Sequence, residues 1–227
     1  MNNKKDFISL ILLSGGTGNR IKSSIPKQYL DLFGKPIIKH SLDLFTSLEN
    51  IREIIVVCEE KYKYFFNNNK EIKFALPGKR RQDSVNNGFE KVNKEASFVC
   101  IHDAARPFLQ KKDFIKLIKE ASLHKSATLA VAATSTIKEA NSSLLTNKTL
   151  DRSNLFEVQT PQIIEYNLLK KGLKYISEHN LTVTDDTSIT ELLGVPTKIV
   201  LGSYSNIKIT TPYDLKLAKF LYNEIQN

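Results

Sequence analysis

The sequence predicts an α/β three-layer sandwich around a mostly parallel sheet, with a protruding β-arm. Three observations predict it. Near-continuous apolar runs occur at residues 7–13, 53–58, 97–101 and 127–133. Runs without polar alternation suit parallel strands covered on both faces. Segments of helical periodicity lie between the runs, and strand–helix alternation builds a sheet with helices on both sides. One stretch, residues 137–161, breaks that rhythm with short polar pieces around Asn141-Ser142-Ser143 and Asn147-Lys148.

Taken in order, the first run (FISLILL) stops at Ser14-Gly15-Gly16. A helix over 36–48 follows, with Ile37, Ile38, Leu42, Leu44 and Phe45 on its apolar side. The second run is EIIVVC, and the next helix spans 83–92 with Asp83-Ser84 as its N-cap. The third run, SFVCI, is halted by His102-Asp103. Phe114, Ile115, Leu117 and Ile118 mark a helix over 112–123, and ATLAVAA is the fourth run. Residues 137–161 read as one or two hairpin strands leaving the sheet, with a long surface loop as the alternative. Helices over 165–177 and 212–225 complete the chain, the last opening on Pro212, a preferred first-turn residue.

The chain of 227 residues, 41% hydrophobic, can bury a sizeable core as one domain over 1–227. Lys plus Arg is 33 and Asp plus Glu is 24, a net charge of +9. That surplus favours anionic partners: nucleic acid, membrane surfaces, nucleotides or phosphorylated metabolites. A solvated basic surface with no partner fits it as well. Lysines are scattered, and no block of five like charges marks a nucleic-acid tail. Cys58 and Cys100 lie in apolar runs and read as buried reduced thiols in strands, which favours a reducing compartment such as the cytoplasm. No apolar stretch reaches the ~20 residues of a membrane span. The opening MNNKKDFISLILLSGG mimics a signal peptide, but its apolar run is short and ends in a glycine turn.

Ligands gather at the carboxyl ends of strands in such sheets. The first strand ends in Ser14-Gly15-Gly16-Thr17-Gly18-Asn19-Arg20. Glycines let backbone amides approach phosphate oxygens closely. A dinucleotide fingerprint would need a third glycine where Ile21 stands, and no Gly-Lys-Ser/Thr follows for a Walker loop. On its own the turn is equally a tight structural bend. Arg20 and Lys27 stand seven residues apart around it. Cations placed where negative charge builds stabilise phosphoryl transfer; two solvated basic residues are the plainer alternative. Asp103, ending the third strand, can ligate Mg²⁺ together with substrate phosphates, or cap the next turn. His102 reads as a packed strand-end residue rather than a base. Residues 78–84 place basic side chains before a helix, with Ser84 available to a base or ribose.

Eight motifs then stand in order between residues 14 and 215: GGTGNR, PKQYL, RRQDSV, HDAARP, DR, QTPQ, TDDTS and NIKITTPYDL. In this set the chain resembles the 2-C-methyl-D-erythritol 4-phosphate cytidylyltransferases. The resemblance implies a Rossmann-like nucleotidyltransferase sandwich, a homodimer, and a divalent metal, usually Mg²⁺. It implies transfer of CMP from CTP to methylerythritol phosphate, with no nucleic-acid or membrane partner. Ser14, Gly15, Gly16 and Gly18 match the cradle for the CTP phosphates. Arg20, Lys27 and Lys208 match the catalytic cations, and Gly78, Ser84 and Ala104 match nucleotide contacts. Asp103 matches the carboxylate near metal and substrates. Arg106, Thr136, Arg152, Thr160 and Thr184 match acceptor contacts, with Arg152 and Thr160 on an arm that crosses to the partner subunit.

The chain departs from the family pattern in three places. Ser14-Gly15-Gly16 replaces Ala-Ala-Gly, Pro77-Gly78 replaces Gly-Gly, and Ser135-Thr136 replaces Asp-Thr. A related family that transfers CMP to ribitol 5-phosphate shares much of the pattern. Arg81-Gln82-Asp83-Ser84 and Thr184-Asp185-Asp186 favour the methylerythritol enzyme. An oxidoreductase would need an acidic residue ~20 positions beyond the glycines, whereas Glu59-Glu60 come about forty on. A nucleic-acid binder would need clustered basic and aromatic residues.

Overall fold

The structure, a computed structural model, describes residues 7–16, 21, 23, 25–66 and 72–226. Its strands are β1 (Ile8–Leu13), β2 (Ile51–Val57), β3 (Ile72–Ala75), β4 (Phe98–Asp103), β5 (Ser126–Ala132), β6 (Lys138–Ala140), β7 (Thr146–Thr149), β8 (Phe156–Glu165) and β9 (Lys198–Leu201). Its helices are α1 (Ile37–Thr46), α2 (Arg81–Phe89), α3 (Lys111–His124), α4 (Tyr166–Glu178), α5 (Ser188–Glu191) and α6 (Pro212–Gln226).

The central sheet runs β3-β2-β1-β4-β8-β5-β9. All neighbours are parallel except β8, which is antiparallel to β4 and β5. Alternate residues of β1 face opposite layers. Leu10 and Leu12 pack with Ile38, Leu42 and Phe45 of α1 and Phe114 and Leu117 of α3. Ile11 packs with Val85 of α2 and Leu169 and Leu173 of α4. Truncating a fully buried Phe45 or Phe114 to Ala would cost about 3–5 kcal/mol. A smaller cluster joins α6, through Leu215 and Ala218, to Leu32, Ile37 and Ile209.

The chain steps outward from β1 to β2 and β3, then returns to place β4 on the other side of β1. That reversal is the switch point at which α/β sheets open a crevice for ligands.

Four expectations need correction. The third strand is not halted by His102-Asp103; both pair with β1, in register with Leu12 and Leu13. Cys100 is in a strand, but Cys58 lies one residue past β2; both are buried free thiols. α2 begins at Arg81, so Asp83 is not its N-cap but its third residue, accepting from the Arg80 backbone N–H at 2.9 Å. The arm is shorter than 137–161: β6 and β7 form the fully exposed hairpin, and residues 156–161 belong to β8 in the central sheet. Thr160 is therefore buried in the sheet, not carried on the arm. Among the described residues no helix is long and apolar enough to cross a membrane.

Candidate active site

β1 and β4 end side by side, with Leu13 opposite Asp103. The glycine turn therefore leaves the sheet next to the strand-end carboxylate. Ser14 anchors the turn through its backbone N–H to Val57 O at 2.9 Å and its hydroxyl to Tyr29 Oη at 2.8 Å. Gln28 sits beneath it and donates from Nε2 to Ser14 O at 2.6 Å and Gly16 O at 3.0 Å. Those carbonyls are thereby held by the protein rather than turned toward a ligand. Gly15 is pressed against the neighbouring loop: a Cβ there would lie 2.3 Å from Pro77 Cβ. At Gly16 a Cβ would meet nothing within 4 Å.

This turn walls one side of a cavity of about 480 Å³. Lys27, only 9% exposed, lines it together with Gln28, Gly78 and Ser84. The Gly78 N–H donates to Ser84 Oγ at 3.0 Å, which ties the loop to α2. The N-terminus of α2 adds its positive dipole end to this side. A second cavity of about 500 Å³ opens on the other side of Asp103, lined by Arg106, Thr128, Thr160, Gln162 and Thr184 among others. Both volumes fall in the usual range for small-molecule sites.

Arg81, Asp103 and Lys208 line both cavities and form the wall between them. Lys208 Nζ contacts Asp103 Oδ2 at 2.7 Å. Arg81 Nε and Nη2 approach Asp103 Oδ1 at 3.4 Å, and Arg106 Nε lies 3.9 Å from Oδ2. Burial by itself would raise the Asp103 carboxyl; Arg81, Lys208 and Arg106 outweigh burial and hold it well below the usual carboxylate range. Arg81 gives its other edge to Asp186, with Nη1–Oδ1 at 2.6 Å and Nη2–Oδ2 at 2.7 Å.

His102 is fully buried and lines neither cavity. Its Nε2 lies 3.3 Å from Arg106 O. A carbonyl only accepts, so this nitrogen carries the proton. Nδ1 is then left to accept from Thr160 Oγ1 at 3.1 Å, while Thr160 Oγ1 accepts from the Asp103 N–H at 3.0 Å. Burial pushes the imidazole down to about 3, so it stays neutral and holds the end of β4 in place. The expectation of a packing role holds.

The family whose sequence model is described as IspD, 2-C-methyl-D-erythritol 4-phosphate cytidylyltransferase, matches residues 8–224. The chain belongs to this family. It is 47% identical over 226 residues to the chloroplastic 2-C-methyl-D-erythritol 4-phosphate cytidylyltransferase of Oryza sativa subsp. japonica, covering 97% of this chain and 76% of that protein. It is 43% identical over 213 residues to the Chlamydia pneumoniae protein of the same name, covering 94% and 98%. The crystal structure of 4-diphosphocytidyl-2C-methyl-D-erythritol synthase from Anaerococcus prevotii superposes with a TM-score of 0.87 at 26% identity, covering 96% and 97%.

Of the IspD positions expected from sequence, Gly15, Gly16, Lys27, Gly78 and Ser84 meet in the first cavity. Arg106, Thr160 and Thr184 meet in the second, and Asp103 and Lys208 face both. Ser14 lies behind the glycine turn, with its hydroxyl committed to Tyr29. Ala104 is fully buried, and its neighbour Ala105 lines the cavity instead. Gly18 and Arg20 lie outside the described residues. Thr136 and Arg152 are exposed and line neither cavity; Arg152 Nη1 donates to Thr134 O at 2.5 Å. Sequence reasoning missed Arg81, Gln28 and Asp186. All three stand inside quoted motifs, RRQDSV, PKQYL and TDDTS, but nothing local distinguishes them from their neighbours.

Among the described residues no cluster of three or more His, Cys, Asp or Glu is arranged to hold a metal. Asp103 is a single carboxylate, and among the described residues its Oδ1 is held by the 3.4 Å Arg81 contacts. One carboxylate is the protein's usual share of a Mg²⁺ site completed by substrate phosphates. The donor set fits that ion and does not fit a closed structural metal site.

Proposed function

We propose that the chain transfers CMP from CTP to 2-C-methyl-D-erythritol 4-phosphate, giving 4-diphosphocytidyl-2-C-methyl-D-erythritol and pyrophosphate. The observation that carries this is the shared wall: two cavities meet at Arg81, Asp103 and Lys208. A donor triphosphate in one and an acceptor phosphate in the other bring two polyanions together across cationic side chains. The glycine-turn cavity suits CTP. The Thr160–Thr184 cavity, rich in hydroxyl and amide groups, suits a polyol phosphate.

An oxygen of the acceptor phosphate attacks the α-phosphorus of CTP. A new P–O–P linkage forms, the bond from the α-phosphorus to the β-bridging oxygen breaks, and pyrophosphate leaves with that electron pair. Lys27 on the donor side and Lys208 at the wall offset charge as it builds, in a site where little solvent reorganisation is needed. Arg20 has the same proposed role by family position. No general base is required, because the attacking oxygen is already anionic, and neutral, enclosed His102 offers none. Asp103 would hold Mg²⁺, which would supply charge neutralisation and orientation to the triphosphate. Release of pyrophosphate from CTP tests the proposal. Turnover with methylerythritol phosphate and little with ribitol 5-phosphate supports it; preference for ribitol 5-phosphate overturns the acceptor assignment.

The proposal extends to a homodimer. The β6–β7 hairpin is exposed throughout and ends in Leu144 and Leu145, 85% and 67% exposed. Thr136 and Arg152, at its base, stand clear of their own chain's cavities, as residues serving a partner's site would. Sedimentation should give a dimer, and deleting residues 138–149 should give a folded monomer of low activity. A monomeric parent with full turnover contradicts this extension.

A further inference from the structure

Asp186 lies in the segment between α4 and α5, with its side chain 2% exposed. It lines neither cavity. Its carboxylate takes both Nη groups of Arg81 in a two-point fork, bridging positions 105 residues apart. Its backbone N–H donates to Gln162 Oε1 at 2.8 Å, and so does that of Thr187 at 3.1 Å. The carboxylate is thus fixed from behind.

A two-point fork sets the plane of a guanidinium as well as its position. With both Nη groups turned to Asp186, Arg81 reaches Asp103 only through longer 3.4 Å contacts. Asp103 keeps its short contact to Lys208, 2.7 Å, on the other oxygen. Remove the charge of Asp186, and Asp103 becomes the nearest anion left to Arg81. The guanidinium is then free to close on Asp103 Oδ1 and draw the carboxylate out of line with Lys208.

We propose that Asp186 is a positioning residue for the transfer reaction: it holds Arg81 so that the guanidinium braces Asp103 without capturing it. This rests on the cytidylyltransferase reading of the site. It goes beyond that reading by assigning a function to a side chain that no substrate can touch.

The test compares kcat and KM for CTP in the full chain, Asp186→Asn, Arg81→Gln, the double variant and Arg81→Lys. Displacing a reacting group by about 1 Å can cost on the order of a hundredfold in rate. Asp186→Asn is expected to lower kcat by about ten- to a hundredfold on that basis, while KM for CTP changes by less than about threefold. If Asp186 acts through Arg81, the double variant is no slower than Arg81→Gln alone. Arg81→Lys keeps the charge and loses the fork, so it should reproduce the kcat loss at similar KM. It decides the matter if Asp186→Asn does not fold, which circular dichroism shows. Parental kcat in Asp186→Asn or in Arg81→Lys overturns the proposal, as do losses that simply multiply in the double variant. An inactive parent chain instead overturns the cytidylyltransferase reading, and this proposal falls with it.

Discussion

Lys208 and Asp103 meet at 2.7 Å on the wall between the two cavities. One residue ends a strand near the middle of the chain and the other lies in the loop leading to the last helix. Their contact lies where the two cavities meet, and both side chains line both cavities.

Removing either wall or donor-side lysine should therefore slow chemistry more than it harms folding. Lys208→Met and Lys27→Ala are each expected to lose about 10²–10³-fold in turnover, the usual effect of deleting one group that stabilises transition-state charge. Steady-state kinetics, with a thermal melt as the folding control, measures this. Near-normal turnover in Lys27→Ala would remove Lys27 from the catalytic role, and the same holds for Lys208.

The two glycines that begin the loop should respond differently to alanine. At Gly15 the added methyl meets Pro77 Cβ at 2.3 Å, so Gly15→Ala must force the two loops apart. A loss of about 1–3 kcal/mol is expected from such overpacking. At Gly16 the methyl meets nothing within 4 Å. Gly16→Ala should stay within about 0.5 kcal/mol of the parent yet weaken CTP binding, because the methyl occupies the cavity side. Urea unfolding and calorimetric titration with CTP separate the two. Equal stability losses would show that the turn packs otherwise.

His102 makes stability depend on pH. Burial holds it at about 3, below its ordinary 6.5. Between those values the unfolded chain takes up a proton there that the folded chain does not. The contribution is complete above about pH 6.5 and declines as pH falls toward 3, by up to ~1.4 kcal/mol per pH unit. His102→Gln should flatten this part of the profile, seen as a difference from the parent in urea midpoints at pH 7, 6, 5 and 4. Parallel profiles would mean that the imidazole titrates normally.

The strands that the sequence reveals are those with both faces covered. β1 and β4 are buried almost throughout, so they read as continuous apolar runs. β9 at one sheet edge leaves Lys198, Ile199 and Leu201 exposed, and β3 at the other is four residues long. Neither makes an apolar run long enough to stand out. β8 was legible only as part of an arm, because Gln159, Thr160, Pro161 and Gln162 interrupt it. Their polar groups are answered in the interior: Gln162 bonds Asp185 and the turn amides, and Asn206 bonds Gln159. Pro161 falls where the register with β5 shifts, between Thr128 and Ala130, so its missing N–H breaks no regular ladder.

Asp103, Gly15 and Gly16 were legible from their places at a strand's carboxyl end and in a glycine turn, and all three line the first cavity. Arg80 and Arg81 mark the limit. They are adjacent and chemically identical, yet Arg80 pairs with Asp83 one turn along its own helix, while Arg81 reaches Asp186 and Asp103. Only the folding of the 185–187 turn against α2 separates them, and no local pattern encodes that.

The position of bound CTP tests the two-cavity site most directly. A crystal structure with CTP and Mg²⁺ should place the triphosphate against Gly15, Gly16 and Lys27, with the α-phosphate at the Asp103–Lys208 wall and facing the second cavity. A triphosphate bound elsewhere, or one whose α-phosphate has no path to the Thr160–Thr184 cavity, would contradict it.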